Sequence, residues 1–507
     1  MTADRSDVAA LEASWLGSRP RPVLLAVVGA VAALVVGGVA SRDPVAAVGL
    51  LVVGATVVAV LLRPVVGAVL LVAVVPITSG LSTGFPLPHV RLSEVVIGIV
   101  GLTVIASTRR SHVVPWRALD WALLAYGLGW AVLAIAATAT QRQHLSLADW
   151  GTVFGQLQFL LLYRGIRLAV RTPADRRLTL GVLVLCSVPV AALAVLQEAR
   201  VPGVAGFVDS ITGGLAASGT SASAGSMVRA TGPFDNWAAL AGYLLPILLV
   251  MVAIALAGLA VRHRRWFVAT GALAALALVF TAEQSAILCI VVGVIVLAAR
   301  YGDGRYRRAV RLGSVGLLLA AAAFLASRVA GELAAGAGSG RIGWVPQTLS
   351  FRWSIWTGQY FPAIAGHLLT GYGVVQPTAV RWPYPESQYV AFLVEGGVVM
   401  LALFGILAWA MLRACGQARR STDPLEQALG RALTIATVAL LVMNGLWPFL
   451  SNGGLPQVLW SLLALAAPGV VVARRAGSGR GSAGPEDRRA GAGWPGLVSP
   501  PALVARP

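Results

Sequence analysis

The residues with chemical potential are ionisable groups that interrupt apolar sequence. Arg229 lies in SMVRATGPFDNWAALAGYLLP and Arg352 in LSFRWSIWTGQYFPAIAGHLLTGYG. A guanidinium stays charged and grips phosphate through a planar fork of N–H groups. Two of them at one membrane face have the chemistry to neutralise a diphosphate without a metal. Interfacial snorkelling or a structural ion pair is the other use of such residues.

Glu386 and Glu395 share the segment YPESQYVAFLVEGGVVML. A carboxylate at the membrane boundary, near cationic phosphate ligands, can take a proton from a sugar hydroxyl. The alternative for Glu386 is an exposed charge at a helix start, favoured by the helix dipole. Glu395 lies about two and a half helical turns deeper, where a charge is costly. It reads either as functional or as the structural partner of an outer Arg. Glu198 and Glu283 are further candidate partners for these arginines, and Asp235 is a further carboxylate at this face. His367, in AGHLLTGYG, reads as a capping or packing residue, and the glycines after it suggest a tight turn.

The elements that must position these groups follow from composition. Of 507 residues, 57% are hydrophobic and 12% charged, with a mean hydropathy of +0.80. Soluble domains carry about twice that share of charge, so a water-soluble globular enzyme is excluded. The chain reads as an all-α, polytopic membrane protein. Its net charge of +19 comes from arginines set between apolar runs rather than in one patch, which argues against nucleic acid. The three cysteines show no CxxC or Cys/His spacing and the five histidines are scattered, so neither a disulfide framework, a metal nor a cofactor is expected.

Apolar runs long enough to cross a bilayer occur at about 23–40, 44–62, 65–80, 93–108, 118–137, 150–168, 178–197, 236–260, 266–281, 284–299, 312–327, 388–412, 432–449 and 456–472. That gives about fourteen spans, twelve at the fewest. With the N-terminal segment 1–22 inside, thirty of the 39 basic residues fall on the inner side, as the positive-inside rule requires. The transmembrane domain would cover 23–472, with outer loops at 198–235 and 328–387 and a disordered inner tail at 473–507. The first loop carries the Gly/Ser/Ala stretch GGLAASGTSASAGS, which cannot form a core. The second is too rich in Trp, Tyr and Pro for disorder. Trp353, Trp356 and Tyr360 recur there at helical spacing, which predicts a helix over 351–366 lying on the membrane surface, anchored by its aromatics, with Arg352 projecting elsewhere.

Three regions resemble the O-antigen ligase and O-antigen polymerase superfamily of membrane glycosyltransferases. RATGPFDNWAALAGYL at 229–244 is similar to the family's Arg, Gly-x-Phe and Asn entry into a span. FTAEQSAILCIVVGVIVL at 280–297 resembles its outer turn between spans. The segments within 351–399 resemble its large outer loop and the following span. The family pattern there has a His, then Asn, Ser or Gln, nine residues, and Gly. Ser387 and Gly397 fit it, but Glu386 stands at the His position, which weakens a ligase reading specifically.

The resemblance implies metal-independent transfer of a glycan from an undecaprenyl-diphosphate-linked donor, on the outer face of a bacterial cytoplasmic membrane. The acceptor would be a glycan or a lipid. Glu386, Arg352 and Arg229 would be the catalytic set. Arg352, Arg229, Asn236, Ser387 and Tyr389 would bind the substrate, with membrane lipids as surroundings. Two rivals stand beside this reading: a transporter for a small anion or polysaccharide precursor, and a non-catalytic scaffold in envelope assembly.

Overall fold

In an apolar solvent each backbone N–H and C=O must be paired within the chain, so apolar runs of this length fold as helices. The computed structural model describes residues 44–81, 91–108, 114–141, 144–213, 229–259, 263–301, 347–375, 380–382 and 384–467, with a few single positions between them. Among these the structure is all-helical. The predicted spans at 23–40 and 312–327, the segment 1–22 and the tail 473–507 lie outside the described residues, apart from two isolated positions in 312–327.

The helices are α1 Pro44–Leu62, α2 Pro64–Thr78, α3 Leu92–Thr108, α4 Ala118–Thr140, α5 Leu147–Gly155, α6 Leu157–Ala169, α7 Pro173–Glu198, α8 Val204–Thr212, α9 Trp237–Leu256, α10 Arg264–Phe280 and α11 Gln284–Tyr301. After the large loop's α12 Gln347–Ile355 and α13 Phe361–Ala365 come α14 Gln388–Arg419, α15 Pro424–Met443 and α16 Leu455–Ala466. Five of them, α4, α7, α9, α14 and α15, are long and apolar enough to cross a membrane, and five shorter apolar helices accompany them. The protein is thus a helical membrane protein with five helices of crossing length among the described residues, beside the fourteen spans that the sequence predicts over the whole chain.

Several boundaries differ from the sequence reading. The run 150–168 is two helices, interrupted at Gln156. The run 432–449 belongs to a helix that starts at Pro424 and stops at Met443. Here Asp423 caps the N-terminus by accepting from the Leu425 N–H at 2.9 Å, a signal that hydropathy alone passes over.

α9 is buried along nearly its whole length and is the centre of the bundle. It packs on α15 and α11, while α14 packs on α15 and α4, and α3 on α2 and α6. Glycine lets α3 and α6 approach closely: a Cβ at Gly165 would sit 3.5 Å from the Gly101 Cα, the usual role of small residues between membrane helices.

One end of the bundle is locked by buried ion pairs. Asp120 accepts from Arg167 at 2.6 Å and from Arg164 at 3.3 Å. Arg176 pairs with Asp423 and Glu426. At the opposite end, helix termini are tied by side-chain amides: Gln197 to Thr231, Asn236 to Asn452, and Gln388 to Ser451.

Candidate functional site

The site lies at this amide-tied end, where the large loop meets α14. The loop shares a small core with the start of α14: Ile355, Tyr360, Ala363, Ile364 and Val380 pack with Val390 and Val394. Its helix starts at Gln347, four residues earlier than predicted, and passes through one π-helical turn at Trp356–Tyr360. The three aromatics do not share one membrane-facing surface. Trp353 is 60% exposed, whereas Tyr360 is 1% exposed and belongs to the core. Helical spacing could not separate them, because the extra residue of the π turn rotates Tyr360 inward.

That turn holds the strap leading into α14. The Gln359 side-chain oxygen accepts from the Arg381 and Trp382 N–H groups, at 2.9 and 3.1 Å. The Tyr360 hydroxyl donates to the Trp382 carbonyl at 2.7 Å, and Trp356 Nε1 donates to the Pro385 carbonyl at 2.7 Å. The strap delivers Glu386 in a left-handed backbone conformation, φ +56°. A non-glycine residue there stores strain and persists only when its surroundings hold it.

Glu386 is 8% exposed, so the exposed helix-start alternative does not apply. Both its oxygens are engaged: Arg352 Nε lies 3.5 Å from Oε2, and Trp382 Nε1 donates to Oε1 at 3.4 Å. Burial pushes its carboxyl above the ordinary range, against the opposing pull of the Arg352 charge and the two hydrogen bonds. Glu283, a like charge, adds a smaller push in the same direction.

Arg229 stacks over the Trp237 ring, 4.6 Å from its centroid. Trp237 Nε1 donates to Glu283 Oε2 at 3.2 Å, and Ser285 donates to Glu283 Oε1. Thus Arg352 is brought directly onto Glu386, while Arg229 belongs to a neighbouring group that reaches Glu386 through the field of Glu283.

The other predicted binding residues make structural bonds. Asn236 caps α9, accepting from the Ala239 N–H at 2.8 Å and donating to Asn452 at 3.2 Å. Ser387 donates to the Asn444 carbonyl at 3.2 Å, and the Tyr389 hydroxyl donates to the Leu441 carbonyl. Asn236→Ala should therefore act on the fold, lowering stability by about 0.5–2 kcal/mol as for other lost caps. A thermal midpoint in detergent measures this. His367 packs its ring against Tyr372, 4.4 Å between centroids.

Downstream of Glu386, α14 is broken at Gly397, φ +63° and ψ −161°. In an unbroken helix the Val398 and Val399 N–H groups would bond to the Val394 and Glu395 carbonyls. Instead they donate to Leu368 and Leu369, and those two helical carbonyls accept from Tyr372 and Gly373. The loop segment LLTGYG thus exchanges backbone partners with the break, leaving no orphan at these four places. The tight turn predicted from its glycines is real, with positive φ at Gly371 and Gly373.

Glu395 lies beside the break and has no Arg partner among the described residues. Its Oε2 is buried without a hydrogen bond. It borders a cavity of about 250 Å³ lined also by Arg91, Glu94, Gln158, Asn452 and Gln457. Sequence reading did not group these neighbours with Glu395, because they come from three other stretches of the chain. A larger cavity, about 440 Å³, lies between Arg117, Tyr163 and Arg413 at the ion-paired end, away from Glu386. Among the described residues no cluster of three His, Cys, Asp or Glu could hold a metal.

No family model and no curated protein matches this chain.

Proposed function

We propose that the protein is a membrane glycosyltransferase that transfers or polymerises a glycan from an undecaprenyl-diphosphate-linked donor, as the resemblance to the O-antigen ligase and polymerase superfamily implies. The single observation that carries this reading is the buried Glu386 carboxylate, held by Arg352 in a strained backbone at the end of the bundle opposite the arginine-rich one. By the positive-inside rule that end faces outward, where cell-surface polysaccharide is assembled.

In the proposed reaction an acceptor hydroxyl oxygen attacks the anomeric carbon of the donor sugar. Glu386 takes the hydroxyl proton as the new C–O bond forms. The bond to the diphosphate breaks, and the lipid diphosphate leaves with the bonding pair. Arg352, with Arg229 behind Trp237, stabilises the charge that develops on it. Attack opposite the leaving group inverts the anomeric centre. The chemistry is complete without a metal, because guanidinium groups meet the diphosphate charge.

The test is transfer by the purified chain in lipid vesicles, supplied with an undecaprenyl-diphosphate glycan and an acceptor glycan. Arg352→Ala should lose most of it, and Arg352→Lys should recover little, because a point charge cannot replace the fork. Arg352 also holds the Glu386 carboxyl down. Residual activity of Arg352→Ala should therefore rise only at higher pH than in the wild type. Full transfer by Arg352→Ala, at normal abundance and with an unmoved pH profile, would sink the reading.

A transporter is the second reading, and one observation favours it: α14 is discontinuous beside the buried Glu395, as ion-coupled carriers often are at their sites. Uptake of a labelled small anion into vesicles, unaffected by Glu386→Gln, would favour transport over transfer.

A further inference from the structure

The cavity beside Glu395 is built from polar groups that the site around Glu386 does not use. Three of its lining residues carry a buried polar atom with no hydrogen-bond partner: Gln158 Oε1, Glu395 Oε2 and Asn452 Nδ2. That is two acceptors and one donor among the residues around this cavity, and buried polar atoms in folded proteins are almost always paired. The Trp130 ring also borders the cavity, fixed by its Nε1 donating to the Thr152 carbonyl at 3.2 Å.

The charge on the walls decides what kind of ligand fits. Arg91, Glu94 and Glu395 all line the cavity, and the Arg91 charge also acts on Asp235. With one guanidinium set against the Glu94 carboxylate and a second carboxyl at Glu395, the walls hold no surplus of positive charge to bind an anion. No trio of His, Cys, Asp or Glu is present among the described residues, which disfavours a coordinated metal ion. Mixed amide donors and acceptors, carboxylates and an aromatic ring suit a neutral polyhydroxylated ring: hydroxyls pair with amides and carboxylates, and the apolar C–H face lies on the indole.

The cavity also adjoins the proposed reaction site. Gln388, two residues past Glu386, accepts from the Leu450 N–H at 3.0 Å and bonds to Ser451. Leu450, Ser451 and Asn452 form part of the cavity wall. One short turn thus separates the two.

We propose that this cavity binds one neutral sugar unit of the glycan, next to the Glu386 carboxylate. Its role as a subsite rests on the transfer reading, but sugar binding itself does not. The experiment uses the purified full chain in lipid nanodiscs, without donor, and saturation-transfer NMR with the methyl glycosides of glucose, galactose, mannose and N-acetylglucosamine. At least one glycoside should receive saturation. Gln158→Leu and Glu395→Gln should each weaken its binding at least tenfold, while Glu386→Gln leaves it in place. Sodium bicarbonate should not compete.

Each variant is compared at a thermal midpoint matching the wild type. If Gln158→Leu does not fold, Glu395→Gln alone decides. Absence of saturation for all four glycosides, binding indifferent to the foldable cavity variants, or displacement by bicarbonate would each overturn the proposal. Loss of the transfer reading shows separately, as undiminished transfer by the Arg352 and Glu386 variants.

Discussion

Glu386→Gln is expected to lower glycan transfer by about 10²–10⁴-fold, the usual contribution of a general base, with the protein still folded. Glutamine keeps the side-chain length but no longer accepts a proton. It also cannot reproduce both contacts, since Arg352 and Trp382 each donate to a different oxygen of Glu386. One of these donors must then face the amide NH₂, so a modest fall in thermal midpoint should accompany the kinetic loss.

The pH dependence follows in sign. Burial raises the Glu386 carboxyl above its ordinary value, and the basic form exists only above that raised value. Wild-type transfer should rise with pH through a window higher than a normal carboxylate's. Stability should move the other way. The folded state holds this proton more tightly than the unfolded chain, so the contribution is full below the unfolded value and is lost as pH rises through the folded one. In Glu386→Gln that pH-dependent part should disappear. A Gln variant with wild-type turnover in the vesicle assay would transfer the role of base to another carboxylate.

Gly397→Ala is expected to be among the most destabilising single-methyl changes in the chain. At φ +63° and ψ −161° the backbone occupies a region essentially confined to glycine, costing about 1–3 kcal/mol for any other residue. A Cβ there would also run into the Leu369 carbonyl. That carbonyl takes part in the exchange that satisfies the break in α14. Relieving the clash means giving up paired backbone groups as well. Gly405, eight residues further along the same helix, is the control: a Cβ there meets nothing within 4 Å. Gly405→Ala should be neutral or stabilise by about 0.4–1 kcal/mol through helix propensity and chain entropy. Thermal unfolding in detergent should separate the two variants, and equal midpoints would contradict the described break.

Hydropathy by itself determined that this is a helical membrane protein, because apolar sequence in lipid has few other ways to pair its backbone. It located seven of the described helices, α1 to α4 and α9 to α11, to within about four residues at each end. Where it erred, local capping had moved the boundary, as at Asp423, or a polar residue had interrupted a long run, as at Gln156. Residue type singled out Glu386 and Arg352, since a charge at the edge of an apolar run is expensive and needs a partner. That each is the other's partner is a tertiary fact, 34 positions apart in sequence. It depends on a π turn, a strap bonded to Gln359 and Tyr360, and a left-handed residue at Glu386.

Sequence could not assign Asn236, Ser387 and Tyr389 either, because an amide or hydroxyl looks the same whether it meets a ligand or a neighbouring carbonyl. The cavity beside Glu395 was least legible of all. Arg91, Trp130, Gln158, Glu395 and Asn452 come from separate stretches of the chain, and each is an ordinary polar or aromatic residue where it stands. Only the packing of α3, α4, α6 and α14 around the turn before α16 brings them around one cavity. Hydrogen-bonding chemistry depends on distances of a few ångströms, which pairwise helix packing sets and residue order does not.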